Sequence, residues 1–185
     1  MRLFPKFPHF LMLSASLSIA ACSGSPSSDK NGAPEANASS GHSEEQKKNL
    51  ANFDDLDFRV YSGQKWDEFN KSHAEDILVH YPDGSTTTGI ADHLVKLKPQ
   101  FAFAPDTKIA EHPIKLADGK YTAVQGIMTG TFTKPMDLGG GKTLQPTGKK
   151  FVLPMMTVGR WENGVMKEEW LFWDNASFMV QIGAT

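Results

Sequence analysis

Glu168-Glu169-Trp170-Leu171-Phe172-Trp173-Asp174-Asn175 is the stretch on which the fold turns. Read with Val165-Met166-Lys167 before it, it predicts a strand over 165–173. The turn Glu162-Asn163-Gly164 leads in, and a short closing helix over 175–182 leads out. Successive strand side chains point to opposite faces. Met166, Glu168, Trp170, Phe172 and Asp174 are therefore expected on one face, and Val165, Lys167, Glu169, Leu171 and Trp173 on the other. The first set is apolar in its middle and ends in a carboxylate, the composition of a pocket wall. Asp174 also stands directly before the closing helix, where an aspartate serves as an N-cap.

Working outward, residues 151–161 and 121–133 read as two further strands, the second rich in Thr, Val and Ile. Residues 108–116 predict a strand whose Ala110, His112, Ile114 and Leu116 share a face. Residues 135–148, with Gly139-Gly140-Gly141, predict a loop without the spacing of a phosphate-binding turn. Ile77-Leu78-Val79-His80-Tyr81 predicts a strand closed by Pro82-Asp83-Gly84. The helices lie mostly upstream. Leu50, Phe53, Leu56 and Val60 predict a helix over 44–61. Trp66, Phe69 and His73 predict a second over 64–74. Ile90, Leu94, Leu97 and Phe101 predict a third over 89–103, with Pro99 expected to kink or shorten it. Helices first and antiparallel strands after give an α+β class, not a doubly wound one. A strongly bent, mostly antiparallel sheet packed on N-terminal helices leaves a conical hollow suited to a small molecule.

The C-terminal stretch, followed by Gln181-Ile182-Gly183, resembles the end of the SnoaL-like polyketide cyclase family, within the nuclear-transport-factor-two-like superfamily. His80-Tyr81-Pro82-Asp83-Gly84, Gly89-Ile90, Thr129-Gly130-Thr131-Phe132 and Pro146-Thr147-Gly148-Lys149 fit the same resemblance, which spans roughly residues 50–185. It implies a conical α+β barrel, a homodimer through the sheet, a deep pocket and no cofactor. It further implies a pocket carboxylate that removes a proton alpha to a carbonyl and returns it, beside a donor that steadies the enolate oxygen. Relatives often carry an acid directly after the motif tryptophan. Leu171 stands there, so the usual acid–base residue is missing unless Glu169 or Asp174 fills the role.

The candidate catalytic residues are Asp174, Glu169 and His80, and the candidate substrate contacts are Trp170, Phe172, His112, Tyr81 and Met156. Each has a plainer reading: Asp174 as a helix cap, Glu169 as a solvated or interface carboxylate, His80 as a rim histidine, the aromatics as core. The histidines show no short-spaced ligand pattern, so no metal is expected. No serine sits in a nucleophile-elbow context.

At the other end, Leu17-Ser18-Ile19-Ala20-Ala21-Cys22 closes a short apolar run that follows Arg2 and Lys6. This has the layout of a lipoprotein signal over 1–21, with Cys22, the chain's only cysteine, as the acylated residue. Residues 22–43 lack any aromatic or large aliphatic side chain and predict a flexible tether to a domain over 44–185. The expected location is the bacterial envelope, on the outer membrane facing the periplasm in a Gram-negative host. With Cys22 lipidated, no thiol remains for disulfides, thiolate catalysis or metal ligation. The net charge of −2, which loss of Arg2 and Lys6 makes more negative, argues against nucleic acid. Three readings stay open. One is a cofactor-free enzyme of cyclase, isomerase or hydratase type on a small apolar carbonyl compound. The second is a ligand-binding lipoprotein, and the third an interaction module that docks a partner through its sheet.

Overall fold

The computed structural model describes residues 41–184; the predicted signal, Cys22 and the predicted tether up to residue 40 lie outside the described residues. The first helix, α1 (Glu44–Asp55), starts in a capping box. Ser43 Oγ accepts from Gln46 N at 3.2 Å and Gln46 Oε1 accepts from Ser43 N at 2.8 Å, two of the N–H groups that a helix start leaves open. The rod continues to Tyr61, but Leu56–Tyr61 is π-helical, with Ser62 N donating five residues back to Asp57 O. The wider turn keeps Leu56, Val60 and Tyr61 buried. π-Helical turns recur at functional sites.

The segment expected as a second helix is a 3-10 turn over Trp66–Lys71, and His73 opens a strand instead of closing a helix. That strand, β1 (His73–His80), pairs with the short β2 (Thr86–Thr88) across the predicted turn. The helix α2 (Ile90–Phe103) begins at Gly89, whose φ of 92° suits glycine. It runs to Phe103 despite Pro99, which sits on the solvent side, where water can take up the carbonyl that proline leaves unpaired.

One seven-stranded sheet holds the rest. Its order is β2, β1, β9 (Val165–Trp173), β8 (Lys150–Glu162), β5 (Tyr121–Thr131), β3 (Lys108–Ile109), with β4 (Ile114–Asp118) also on β5. All pairs are antiparallel except β1 with β9. The sheet is α+β and curved over the helices, as expected, but it is not closed into a barrel. The strand expected over 108–116 is broken: Pro113 offers no N–H, and His112 turns toward α1. The loop over 135–148 contains a small hairpin, β6 (Met136–Gly139) with β7 (Lys142–Leu144). The helix α3 (Asn175–Ile182) closes the chain as predicted.

The expected alternation along β9 fails at one place. Arg160 pairs with Glu168 but Trp161 pairs with Met166, so Lys167 is an extra residue in a β-bulge. Met166 therefore shares the inner face with Glu169 and Leu171, all three buried, while Glu168, Trp170 and Phe172 face outward. The inner core is aromatic, built on Phe53, Phe69, Phe132, Phe151 and Trp161. Trp161 Nε1 donates to Thr122 Oγ1 at 2.9 Å, which satisfies its one polar atom.

Candidate functional site

The concave face of the sheet and the helices enclose two adjoining spaces. The deeper, of about 50 Å³, is bounded by Asp57, Tyr61, His73, His93, Thr157 and Glu169 among apolar side chains such as Leu56, Phe69 and Leu171. The outer, of about 190 Å³, shares Tyr61, Leu97 and Met155 with it and is walled by Met128, Met136, Leu153, Trp173 and Phe178. The buried titratable groups thus collect in the deeper space, while the outer one is mostly apolar with Lys96, Gln100 and Asn175 on its border.

Two clusters of titratable groups meet at the deeper space. In the first, His112 lies between two carboxylates, with Nε2 2.9 Å from Asp57 Oδ2 and Nδ1 2.7 Å from Asp54 Oδ1. Lys115 Nζ donates to Asp54 Oδ2 at 2.7 Å. Both ring nitrogens must donate to carboxylate oxygens, so the ring is an imidazolium. Burial alone would lower the His112 pKa, but Asp57 and Asp54 outweigh it and raise it. Burial raises the Asp57 pKa, with His112 only partly opposing. Gly126 packs beside this pair, where a Cβ would meet Ile109 Cγ2 at 3.3 Å and only touch Asp57 Oδ2 at 3.6 Å.

In the second cluster, Glu169 is 3% exposed, with Oε2 3.5 Å from His93 Nε2 and 3.7 Å from His73 Nε2. These separations are too long for good hydrogen bonds, and both Glu169 Oε2 and His73 Nε2 are buried without a partner. Burial alone would raise the Glu169 pKa, but the pull of His73 and His93 outweighs it and holds the group below the usual carboxylate range. Burial holds His93 down to about 4. The outer nitrogens are engaged: His73 Nδ1 lies 2.9 Å from Ser72 Oγ, and His93 Nδ1 lies 2.7 Å from Tyr81 Oη. No metal pattern is visible along the sequence, yet the ligand atoms of His73, His93 and Glu169 converge within 4.8 Å of one another.

Tyr61 borders both spaces. Its hydroxyl has Met128 Sδ at 3.9 Å as its hydrogen-bond partner, and burial raises its pKa, so it stays a protonated donor.

Of the residues expected at the site, the fold brings Glu169 to it directly and His112 to it through Asp57. Tyr81 stands behind His93, bonded also to Thr87 Oγ1 at 3.0 Å, and burial pushes its pKa up to about 12. Asp174 is the N-cap of α3: its Oδ1 accepts from Ala176 N at 2.9 Å and Ser177 N at 3.0 Å, away from the cavity. His80 lies on the outer face, 3.0 Å from Glu168 Oε1 and stacked on Trp170 at 5.2 Å between ring centroids. With Phe172 and Trp170 it borders an open outer groove, not the cone. Met156 pairs with Phe172 and faces outward, and its neighbour Met155 lines the cavity. The bulge at Lys167 accounts for Trp170 and Phe172, because it reverses the face expected for each.

Asp57, Tyr61, His73 and His93 were not among the expected site residues. Asp57 stands seven residues after Leu50 and four after Phe53, a carboxylate within an apolar helical stripe. His93 stands three residues after Ile90 and four before Leu97 in the same manner. A polar residue inside an apolar stripe was the available signal. His73 carried the same signal, since it follows Trp66 and Phe69 on one predicted face.

No curated protein matches the chain significantly. The family model described as SnoaL-like polyketide cyclase matches residues 55–182. Among solved structures, a candidate SnoaL-like polyketide cyclase of Jannaschia sp. CCS1 is similar at 20% identity and a TM-score of 0.68, over 78% of this chain and 98% of that one. A candidate polyketide cyclase of Xanthomonas campestris pv. campestris is similar at 14% identity and a TM-score of 0.64, over 75% and 98%. An NTF2-like protein of unknown function from Burkholderia pseudomallei K96243 is similar at 15% identity and a TM-score of 0.58, over 76% and 98%. At these identities the likeness is one of fold.

Proposed function

The chain belongs to the SnoaL-like polyketide cyclase family, and on that premise we propose that it is a lipid-anchored envelope protein performing acid–base chemistry on a small apolar carbonyl compound. The reaction is of the cyclase, isomerase or hydratase kind. The supporting observation is Asp57, a carboxylate at the closed end of an apolar cone, with a pKa raised by burial and a histidine bonded behind it. A carboxylate so tuned is a better proton carrier than one held low, because its pKa lies nearer working pH. Asp57 takes the proton alpha to the carbonyl and returns it. His112, fixed by Asp54, orients it. Tyr61, one helical turn along, donates to the developing enolate oxygen, a role that suits a hydroxyl whose present partner is a weak sulfur acceptor. The aliphatic and aromatic part of the substrate occupies the outer space between Met128, Trp173 and Phe178.

The test begins with native mass spectrometry of the chain purified from its host membranes, to identify a co-purifying compound. That compound is then incubated in deuterated water with the protein. Exchange at the alpha carbon is expected, falling by roughly 100-fold or more in Asp57→Asn and less in Tyr61→Phe. Exchange that persists in Asp57→Asn would remove Asp57 from the chemistry. Binding without exchange in the native protein would favour the ligand-binding reading.

The outer sheet face supports a homodimer. Val152 and Phe172 are more than half exposed there, beside the outward-facing Pro154, Met156 and Trp170. An exposed apolar surface of this kind marks an interaction site.

A further inference from the structure

We propose that His73, His93 and Glu169 form a binding site for one divalent transition-metal ion of the zinc or ferrous type. The three residues come from the start of β1, the first turns of α2 and the middle of β9, and all are buried. Their ligand atoms lie within 4.8 Å of one another, with Glu169 Oε2 3.5 Å from His93 Nε2 and 3.7 Å from His73 Nε2. Donors on one tetrahedral ion with bonds of about 2.0–2.1 Å stand roughly 3.3 Å apart. The two separations from Glu169 to the histidines need contract by only a few tenths of an ångström.

Three observations point to a cation at this place and not to a packed polar core. Glu169 Oε2 and His73 Nε2 are buried with no hydrogen-bond partner, although the two face each other. A buried polar group without a partner is costly. The rings are also held from behind. Ser72 Oγ donates to Phe69 O at 3.2 Å, so it accepts from His73 Nδ1–H, leaving Nε2 with a free lone pair turned inward. Tyr81 Oη, 2.7 Å from His93 Nδ1, holds the second ring from behind and turns its Nε2 toward Glu169. An outer hydrogen bond that fixes the ring and bares the inner nitrogen is the usual arrangement behind a metal-ligating histidine. Finally, the cluster borders the deeper cavity, so a fourth position on the ion would open toward a bound small molecule. Two imidazoles and one carboxylate suit zinc or ferrous iron better than magnesium or calcium, which prefer oxygen ligands.

Metal binding is read without turnover, so it stands or falls separately from the acid–base role of Asp57. The full chain is purified in mild detergent, stripped with a chelator, and titrated with Co²⁺ and then with Zn²⁺ as competitor. The expected result is a visible Co²⁺ absorption that saturates at one ion per chain and is displaced by Zn²⁺. Glu169→Gln and His93→Gln should lose the saturable signal, and Glu168→Gln, on the outer face, should keep it. If those ligand variants fail to fold, Tyr81→Phe serves instead. Removal of its hydroxyl from His93 Nδ1 should weaken the affinity by roughly 10- to 100-fold. A folded native chain with no saturable Co²⁺ signal would overturn the proposal. So would a signal untouched by Glu169→Gln or by Tyr81→Phe.

Discussion

At the scale of single residues, the site depends on how burial and partners divide the carboxylates. Asp57 and Glu169 border one cavity, yet burial raises the first while the neighbouring histidines hold the second low. Groups pushed apart in this way support the acid–base reading proposed above. The same residues predict a pH dependence of stability. His112 has a folded pKa raised above its ordinary value of 6.5. Its contribution is therefore full below about pH 6.5 and is lost as pH rises through the folded value. Asp57, also raised, acts in the same direction. Urea unfolding across the alkaline side of pH 6.5 should show falling stability in the native protein and a flatter profile in His112→Gln. An unchanged slope would mean that His112 is not charged in the folded state. Asp174 gives the opposite kind of expectation. As a cap bonded to two N–H groups it should cost about 1 kcal/mol when replaced by alanine, measured by denaturation, with substrate exchange kept.

At the scale of elements, the bulge in β9 and the π-helical turn after α1 place the chemistry. Met166 and Glu169 stand three residues apart, and both face inward along one strand because Lys167 is taken up in the bulge. Met166 is fully buried, so Met166→Ala should destabilise the domain by roughly 2–5 kcal/mol. Deletion of Lys167 should cost less, because Met166 and Glu169 then stand two residues apart and both keep the inner face of a regular strand. Circular dichroism during thermal unfolding distinguishes these. A deletion variant that unfolds as early as Met166→Ala would show that Lys167 does more than bring Met166 and Glu169 onto one face. The elements themselves were largely legible. Periodicity gave α1, α2, α3 and the long strands β5, β8 and β9, because one face of each is apolar and the other polar. The alternation beyond Lys167 held, with Glu169, Leu171 and Trp173 on one face, but that face and not the one with Trp170 lines the cavity, and Met166 joins it through a bulge that leaves no mark in the pattern of residue types. His73 was misplaced for a related reason: Trp66, Phe69 and His73 do keep one face, but across a 3-10 turn and into a strand. Phe69 and His73 still stack, 5.2 Å apart.

At the scale of the whole molecule, the outer sheet face and the amino-terminal segment carry the remaining expectations. Phe172→Glu, which places a charge on the exposed face, should shift the protein from dimer to monomer in light scattering without loss of fold. A native protein that is monomeric at all concentrations would leave that face for another partner. Cys22→Ser should move the protein from the membrane to the soluble fraction, since acylation needs the thiol. Membrane attachment that survives the substitution would point to another anchor. No helix among the described residues is long and apolar enough to cross a bilayer. The sequence by itself determined the class of fold, because burial of apolar stripes fixes which segments are helix or strand and in what order, and its motifs around Glu168 to Asn175 carried the family resemblance. It also singled out Glu169. Only the tertiary structure decided which polar residues share one cavity. Asp57, His112, His73, His93 and Glu169 come from five separate places in the chain, and local periodicity carries no record of contacts that distant segments make on folding.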